Sequence, residues 1–190
     1  MVCGIDEAGR GPLAGPVCAA AVILGENFPR EMRDLLNDSK KLTESRRNEA
    51  RRVICESALA WGVGWASHTE IDSINILQAS LLAMKRAFEE MKKNLSSPLP
   101  ADFSVIVDGL YSPDIDVKCT PMVKADAKVQ EVMAASILAK TSRDSHMDEM
   151  ALLYPQYGYE KHKGYPTKAH RAAVLKYGPS PIQRLSFKVR

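Results

Sequence analysis

The chain has 190 residues, 45% hydrophobic and 26% charged, with 26 Lys/Arg against 23 Asp/Glu and a formal net charge of +3. That length suits one domain with a sizeable core, and the balance is ordinary for a soluble globular protein. The longest apolar run, Val17 to Leu24, is too short to span a bilayer, and no basic-plus-apolar leader opens the chain, so a cytoplasmic protein with no membrane partner is expected.

The run Val2-Cys3-Gly4-Ile5-Asp6-Glu7 predicts a strand over 2–8 that ends in two acids and a glycine-rich turn, Ala8-Gly9-Arg10-Gly11-Pro12-Leu13-Ala14-Gly15. A second strand is predicted over 16–24. Thr43 is placed to cap a helix over 43–60, whose apolar face is Ala50, Val53, Ile54 and Ala58. Trp61 to Ala66 reads as a third strand. Leu77, Leu81, Met84, Phe88 and Met91 then recur at helical spacing, a stripe that faces a core. Ser96-Ser97-Pro98-Leu99-Pro100 stops that helix, and a strand over 103–108 follows, ending on Asp108. A further strand is predicted near 117–123, a long helix over 128–151, and a last helix from Thr167 to Tyr177 that Gly178-Pro179 terminates. This order argues for an α/β fold, a mixed central sheet flanked by helices. It divides into a main unit over 1–150 and a C-terminal helical segment over 151–190 that is not an independent domain.

The four cysteines, Cys3, Cys18, Cys55 and Cys119, are too scattered for a zinc site or a disulfide framework, and Cys3 and Cys18, in strand-like apolar runs, read as small buried hydrophobes. Charge is unevenly placed. Residues 161–190 hold 8 of the 26 Lys/Arg and no acid, so the first 160 residues carry all 23 acids against the other 18 bases. A basic tail on an acidic body fits either a phosphate-binding arm or a solvated surface.

Asp6 and Asp108 each end an apolar run, where an ionised carboxylate is costly unless it is paired or bound to a metal. Carboxylates gathered at strand ends suit Mg²⁺ or Mn²⁺. Glu7 follows Asp6 directly, so a regular strand points it to the opposite face unless the backbone turns at Ala8-Gly9. Asp126 precedes the long helix and can serve either as its N-cap or as a further acid of the site. The glycines lack the Gly-Lys-Ser/Thr of a Walker A loop and do not open a helix as a dinucleotide fingerprint does. Ser136, Lys140 and Arg143 share one helical face, available to substrate or to solvent. His68, His146, His162 and His170 match no metal-ligand spacing.

The stretch Gly4-Ile5-Asp6-Glu7-Ala8-Gly9-Arg10-Gly11-Pro12-Leu13-Ala14-Gly15-Pro16-Val17 resembles the signature opening of the type 2 ribonucleases H, and within them the bacterial ribonuclease HII family. Further segments agree in order: Asp38-Ser39-Lys40-Lys41-Leu42, Val107-Asp108-Gly109, Lys124-Ala125-Asp126, Ala134-Ala135-Ser136-Ile137-Leu138-Ala139-Lys140 with Arg143-Asp144, Lys163-Gly164-Tyr165-Pro166-Thr167, and Gly178-Pro179-Ser180-Pro181-Ile182. The resemblance covers nearly the whole chain.

It implies a ribonuclease H-like fold with Asp6, Glu7, Asp108 and Asp126 as the acids that hold two divalent ions, Mg²⁺ or Mn²⁺. It further implies cleavage on the 5′ side of ribonucleotides in RNA–DNA hybrids and in duplex DNA, leaving a 3′-hydroxyl and a 5′-phosphate. Such an activity serves ribonucleotide excision and primer removal. Gly9, Arg10, Gly11 and Tyr165 become readers of the ribose 2′-hydroxyl, and Lys40, Lys41, Ser136, Lys140 and Arg143 become substrate contacts. The alternative is a non-catalytic hybrid-binding protein of the same fold. A monomer is expected. Gln183-Arg184-Leu185-Ser186-Phe187 faintly resembles a sliding-clamp peptide. Two positions depart from the family pattern, Glu131 before the Ala-Ala-Ser helix and Gln183 where many relatives carry His, and both bear on substrate preference.

Overall fold

The computed structural model describes residues 1–37 and 42–189. Its sheet has five strands: β1 (Val2–Ala8), β2 (Val17–Ile23), β3 (Ala60–Ala66), β4 (Ser104–Asp108) and β5 (Cys119–Met122), in the spatial order β3-β2-β1-β4-β5. The first three form an antiparallel meander, while β4 runs parallel to β1 and β5 parallel to β4. The mixed direction predicted from the order of elements is therefore observed. It puts the C-terminal ends of β1, β4 and β5 along a single edge.

The helices are α1 (Arg30–Asn37), α2 (Glu44–Ser57), α3 (His68–Lys93), α4 (Gln130–Leu153), α5 (Tyr159–His162) and α6 (Lys168–Tyr177). Predicted boundaries hold to within a few residues, and the Thr43 and Thr167 hydroxyls accept from the Arg46 and His170 amides as N-caps should. Two elements differ. The short α1 follows Pro29 and is not predicted, because eight residues are too few to establish a period. Helix α3 begins nine residues before the apolar stripe. It is two helical stretches joined at Asn75, whose φ of 67° breaks the first and whose side chain accepts from the Leu77 and Gln78 amides to cap the second.

The sheet is sandwiched. One face packs Cys3, Ile5, Ala19, Ala21 and Val105 against Ala83, Ala87, Phe88 and Met91 of α3. The other packs Ala20 and Val22 against Met133, Ala134, Ile137 and Leu138 of α4, with Ile54 of α2 beside them. Helix α4 lies so close to β1 that a β-carbon at Gly4 would stand 2.2 Å from the carbonyl carbon of Glu131. Only glycine permits that approach. The C-terminal segment has a small core of its own, in which Tyr157 and Tyr159 meet Ala14, Met147 and Ala151. Cys3 and Cys18 are buried free thiols, as expected, and burial pushes both thiols up. Among the described residues no helix is long and apolar enough to cross a membrane.

Candidate active site

The acid-tipped strands are neighbours. Ile5 pairs with Val107 in parallel register, so one residue further along Asp6 lies beside Asp108. Asp108 also builds the next part of the site. Its Oδ1 accepts from the Ala125 amide at 2.7 Å and from the Asp126 amide at 3.5 Å, fixing the short 3₁₀ turn Ala125–Ala127 that carries Asp126. That leaves Asp126 outside the capping role open to it in the sequence, because Val129 is the N-cap of α4. Ligand atoms of Asp6, Asp108 and Asp126 all lie within 4.8 Å of one another.

Such a cluster is costly without a cation. Asp6 is buried, with 6% exposure. Burial, then the Glu7 charge, holds its carboxyl well above the usual range, against the opposing pull of the Ser136 hydroxyl and the Glu7 amide. Glu7 is also raised, mainly by burial, although Arg10 draws it down. Three carboxylates facing one another and oxygen-only donors are what a hard divalent cation requires.

Glu7 lies beside the cluster, close enough for its charge and that of Asp6 and Asp108 to act on one another. Strand β1 runs regularly through it to Ala8, and its carboxylate lies outside the three-acid group. One oxygen accepts from Arg10 at 3.3 Å, and the other, Oε2, is buried with no hydrogen-bond partner among the described residues. An orphaned buried oxygen next to the cluster is a further donor for a cation.

Beside the acids is a hollow of about 340 Å³ lined by Glu7, Gly9, Arg10, Gly11, Ser136, Lys140 and Tyr165. Seven of the thirteen residues expected at the site from the sequence thus line one cavity, next to the acid cluster. Tyr165 is 41% exposed, and its ring lies 3.6 Å from where a Gly11 β-carbon would stand. Lys140 donates to Asp144 at 2.8 Å, and the Arg10 side chain reaches back to Glu7.

Arg143 is a correction. It shares the helical face of Ser136 and Lys140 as predicted, yet it is 1% exposed and does not line the hollow. Its guanidinium donates to the carbonyls of Pro16, Lys163 and Ala14 at 2.9, 2.9 and 3.1 Å. The glycine turn and the segment before Tyr165 roof the helix at that level, so the row of polar residues is accessible at one end and covered at the other. Lys40 and Lys41 lie outside the described residues.

Residues 183–187 also take a role the sequence does not reveal. Gln183 and Arg184 are buried, Phe187 packs against the α3 core, and the Ser186 amide and hydroxyl donate to Asp72. The Arg184 guanidinium donates to the carbonyls of Gly9, Arg10, Gly15 and Pro16, and burial pushes its pKa down to about 9. No local pattern marks this arginine, since its partners are the other end of the chain. The two buried histidines form a stacked pair 4.6 Å apart. His170 Nδ1 donates to the Tyr165 carbonyl at 3.0 Å, and His162 accepts from the Gly164 amide on Nδ1 and donates from Nε2 to Tyr157. Both rings therefore hold the segment that presents Tyr165.

The ribonuclease H2 of Pyrococcus horikoshii OT3 superposes with a TM-score of 0.73 at 27% identity, over 99% of this chain and 94% of that one. The RNase HII of Archaeoglobus fulgidus, solved as a complex with PCNA, superposes with a TM-score of 0.74 at 24% identity, over 97% and 92% of the two chains. Fold and strand-end acids together define an enzyme of the ribonuclease H class.

The sequence narrows this. The family model for ribonuclease HII matches residues 3–190, and the ribonuclease HII of Treponema denticola is 54% identical over 202 residues, covering 100% of this chain and 99% of that protein. The chain belongs to the ribonuclease HII family.

Proposed function

We propose that this enzyme cleaves the phosphodiester on the 5′ side of ribonucleotides in RNA–DNA hybrids and of ribonucleotides embedded in duplex DNA, leaving a 3′-hydroxyl and a 5′-phosphate. The observation that carries the reading is the contact between two parts. A cluster of Asp6, Asp108 and Asp126 within 4.8 Å adjoins a hollow walled by Gly9, Gly11 and Tyr165. Family membership supports the ribonuclease activity itself.

Asp6, Asp108 and Asp126, with Glu7 beside them, are the residues to hold Mg²⁺ or Mn²⁺. Two such ions supply an activated water for in-line attack and charge stabilisation for the leaving 3′ oxygen. The rest belongs to the chain. Glycine at 11 keeps a β-carbon out of the space facing Tyr165, so the backbone there can come within hydrogen-bonding reach of a ribose, whereas glycine at 9 makes room for the Arg143 side chain beneath the loop; the loop amides can donate to the 2′-hydroxyl oxygen. The Tyr165 ring stands opposite Gly11 across the hollow. Its phenol can bond the same hydroxyl while its face packs on the next sugar, which favours a deoxyribose there. Ser136 and Lys140 face the hollow from α4, where the ammonium can offset phosphate charge. The basic stretch after residue 160 extends the phosphate-binding surface beyond the site. Segment 183–187 is occupied within the fold, so a sliding-clamp contact through it is not part of this proposal.

The test is a DNA duplex with one embedded ribonucleotide beside its all-DNA counterpart. Metal-dependent nicking 5′ of the ribonucleotide alone is expected. Binding without cleavage in either Mg²⁺ or Mn²⁺ would overturn the catalytic reading, and equal cutting of both duplexes would overturn the ribose reading.

A further inference from the structure

Arg184 is 0% exposed, and among the described residues it forms no ion pair, the Asp72 carboxylate attracting it only from further off. A buried guanidinium without a counter-charge is expensive and is retained where all its donors are used. Here four bonds go to one short loop: to Gly9 at 2.6 Å, Arg10 at 3.0 Å, Gly15 at 2.9 Å and Pro16 at 3.2 Å. The ring of Phe187 covers the guanidinium at 5.1 Å. The Arg184 backbone continues the clasp. The Arg184 amide donates to the Leu13 carbonyl, and the Gly15 amide donates to the Ile182 carbonyl.

The consequence follows from peptide geometry. A trans peptide is planar, and its C=O and N–H point in opposite directions. Pulling the Gly9 carbonyl inward therefore turns the Arg10 N–H outward, and pulling the Arg10 carbonyl inward turns the Gly11 N–H outward. Among the described residues neither amide has a backbone or side-chain acceptor within the chain, and both residues line the hollow beside the acids. Gly9, with a φ of 98°, is the residue least able to keep these planes fixed without outside restraint.

We infer that Arg184 is a positioning residue for ribose recognition: its guanidinium sets the orientation of the Arg10 and Gly11 peptide planes and thereby aims two N–H groups at the 2′-hydroxyl. Arg184 touches no substrate. It preorganises the donors, so that discrimination between ribose and deoxyribose depends on a side chain on the far side of the loop, from the last dozen residues of the chain. The inference rests on the ribose reading of the hollow proposed above.

The experiment compares two numbers in one active enzyme with Mn²⁺. These are kcat/KM for a duplex with a single ribonucleotide, and the inhibition constant of the same duplex without the 2′-hydroxyl. Wild type must favour the ribonucleotide duplex. If it does not, the ribose reading itself fails and this inference with it. Given that preference, Arg184→Lys, which cannot span four carbonyls, should lower the preference about tenfold or more, the loss of one well-placed hydrogen bond. The inhibition constant of the all-DNA duplex should stay within about twofold. A lowered folded fraction would reduce kcat/KM but leave the inhibition constant unchanged, so kcat/KM is referred to the active-site concentration titrated in each variant. Arg184→Ala leaves a guanidinium-sized space lined by carbonyls, and millimolar guanidinium, but not methylammonium, should restore the preference. A preference unchanged in Arg184→Lys would overturn the inference. So would rescue by neither cation, or failure of both variants to fold with guanidinium present, because each assigns Arg184 to the core and not to the loop.

Discussion

Asp6→Asn should separate two properties, the stability of the metal-free protein and its response to a divalent ion. The ligand atoms of Asp6, Asp108 and Asp126 lie within 4.8 Å, and at an effective dielectric of about 20 two unit charges at that distance repel by about 3.5 kcal/mol. Ionised Asp6 escapes part of this by taking up a proton, since burial and the Glu7 charge raise its pKa. Removing the charge should therefore stabilise the metal-free protein by about 1–3 kcal/mol and not by the full sum of repulsions. Little else is lost, because the Ser136 hydroxyl that bonds Asp6 can accept from an asparagine amide as well as donate to a carboxylate. Asparagine keeps the volume, and its carbonyl can still accept the Glu7 amide that Asp6 accepts at 2.7 Å. A divalent ion reverses the order. It stabilises wild type by about 2.7 kcal/mol at a hundredfold excess over its Kd, whereas the variant lacks a central ligand. Urea unfolding in EDTA and in saturating Mn²⁺ reads both effects. The variant should exceed wild type in EDTA, gain little from Mn²⁺, and have no nicking activity. A variant less stable than wild type in EDTA, or one that gains as much from Mn²⁺, would refute the reasoning.

Two further outcomes are expected. Gly4→Ala would put a β-carbon 2.2 Å from the Glu131 backbone, well inside contact distance, so α4 must lift from β1. A loss of about 1–3 kcal/mol or more, with reduced cleavage because Ser136 and Lys140 move with the helix, should appear in urea titration, and a change under about 0.5 kcal/mol would show that the helix is not pressed on the strand there. Burial lowers the pKa of both His162 and His170, so each is neutral in the fold and binds protons more readily once unfolded. Their contribution is present above the unfolded pKa of about 6.5 and is lost as pH falls below it. Wild type should accordingly lose stability from pH 7.5 to 5.5. His170→Phe should be weaker at pH 7.5, lacking the bond to the Tyr165 carbonyl, but lose less on acidification; parallel slopes would exclude the pair as the cause.

Much of the fold is legible locally. The strand ending in Asp6-Glu7, the stripe from Leu77 to Met91 and the Thr43 and Thr167 caps are each set by residues within a few positions of one another. Hydrophobic period and capping chemistry operate over that range. Helix α1 escapes because it is shorter than the window in which a period can be counted. The acid cluster is half legible. Asp6 and Asp108 stand out as charges ending apolar runs, but Asp126 looks the same as a helix cap until the Asp108 carboxylate is seen holding its turn. Arg143 marks the limit of the helical-face argument, which places a residue on a side of α4 without saying what covers that side.

The sequence by itself determined the strands, the acids at their tips, the glycine turn and, through its motifs, the family. Only tertiary structure decided which way those parts face. Parallel pairing of β1 with β4 brought Asp6 to Asp108 across about a hundred residues. The fold placed Glu7 beside the three-acid group, with one buried oxygen that has no hydrogen-bond partner among the described residues. Arg184 reached the Gly9 carbonyl from 175 positions away and aimed the loop at the hollow. Periodicity and capping report on neighbours in the chain, whereas the direction of a carbonyl or the burial of a guanidinium is set by contacts that exist only once distant segments have packed.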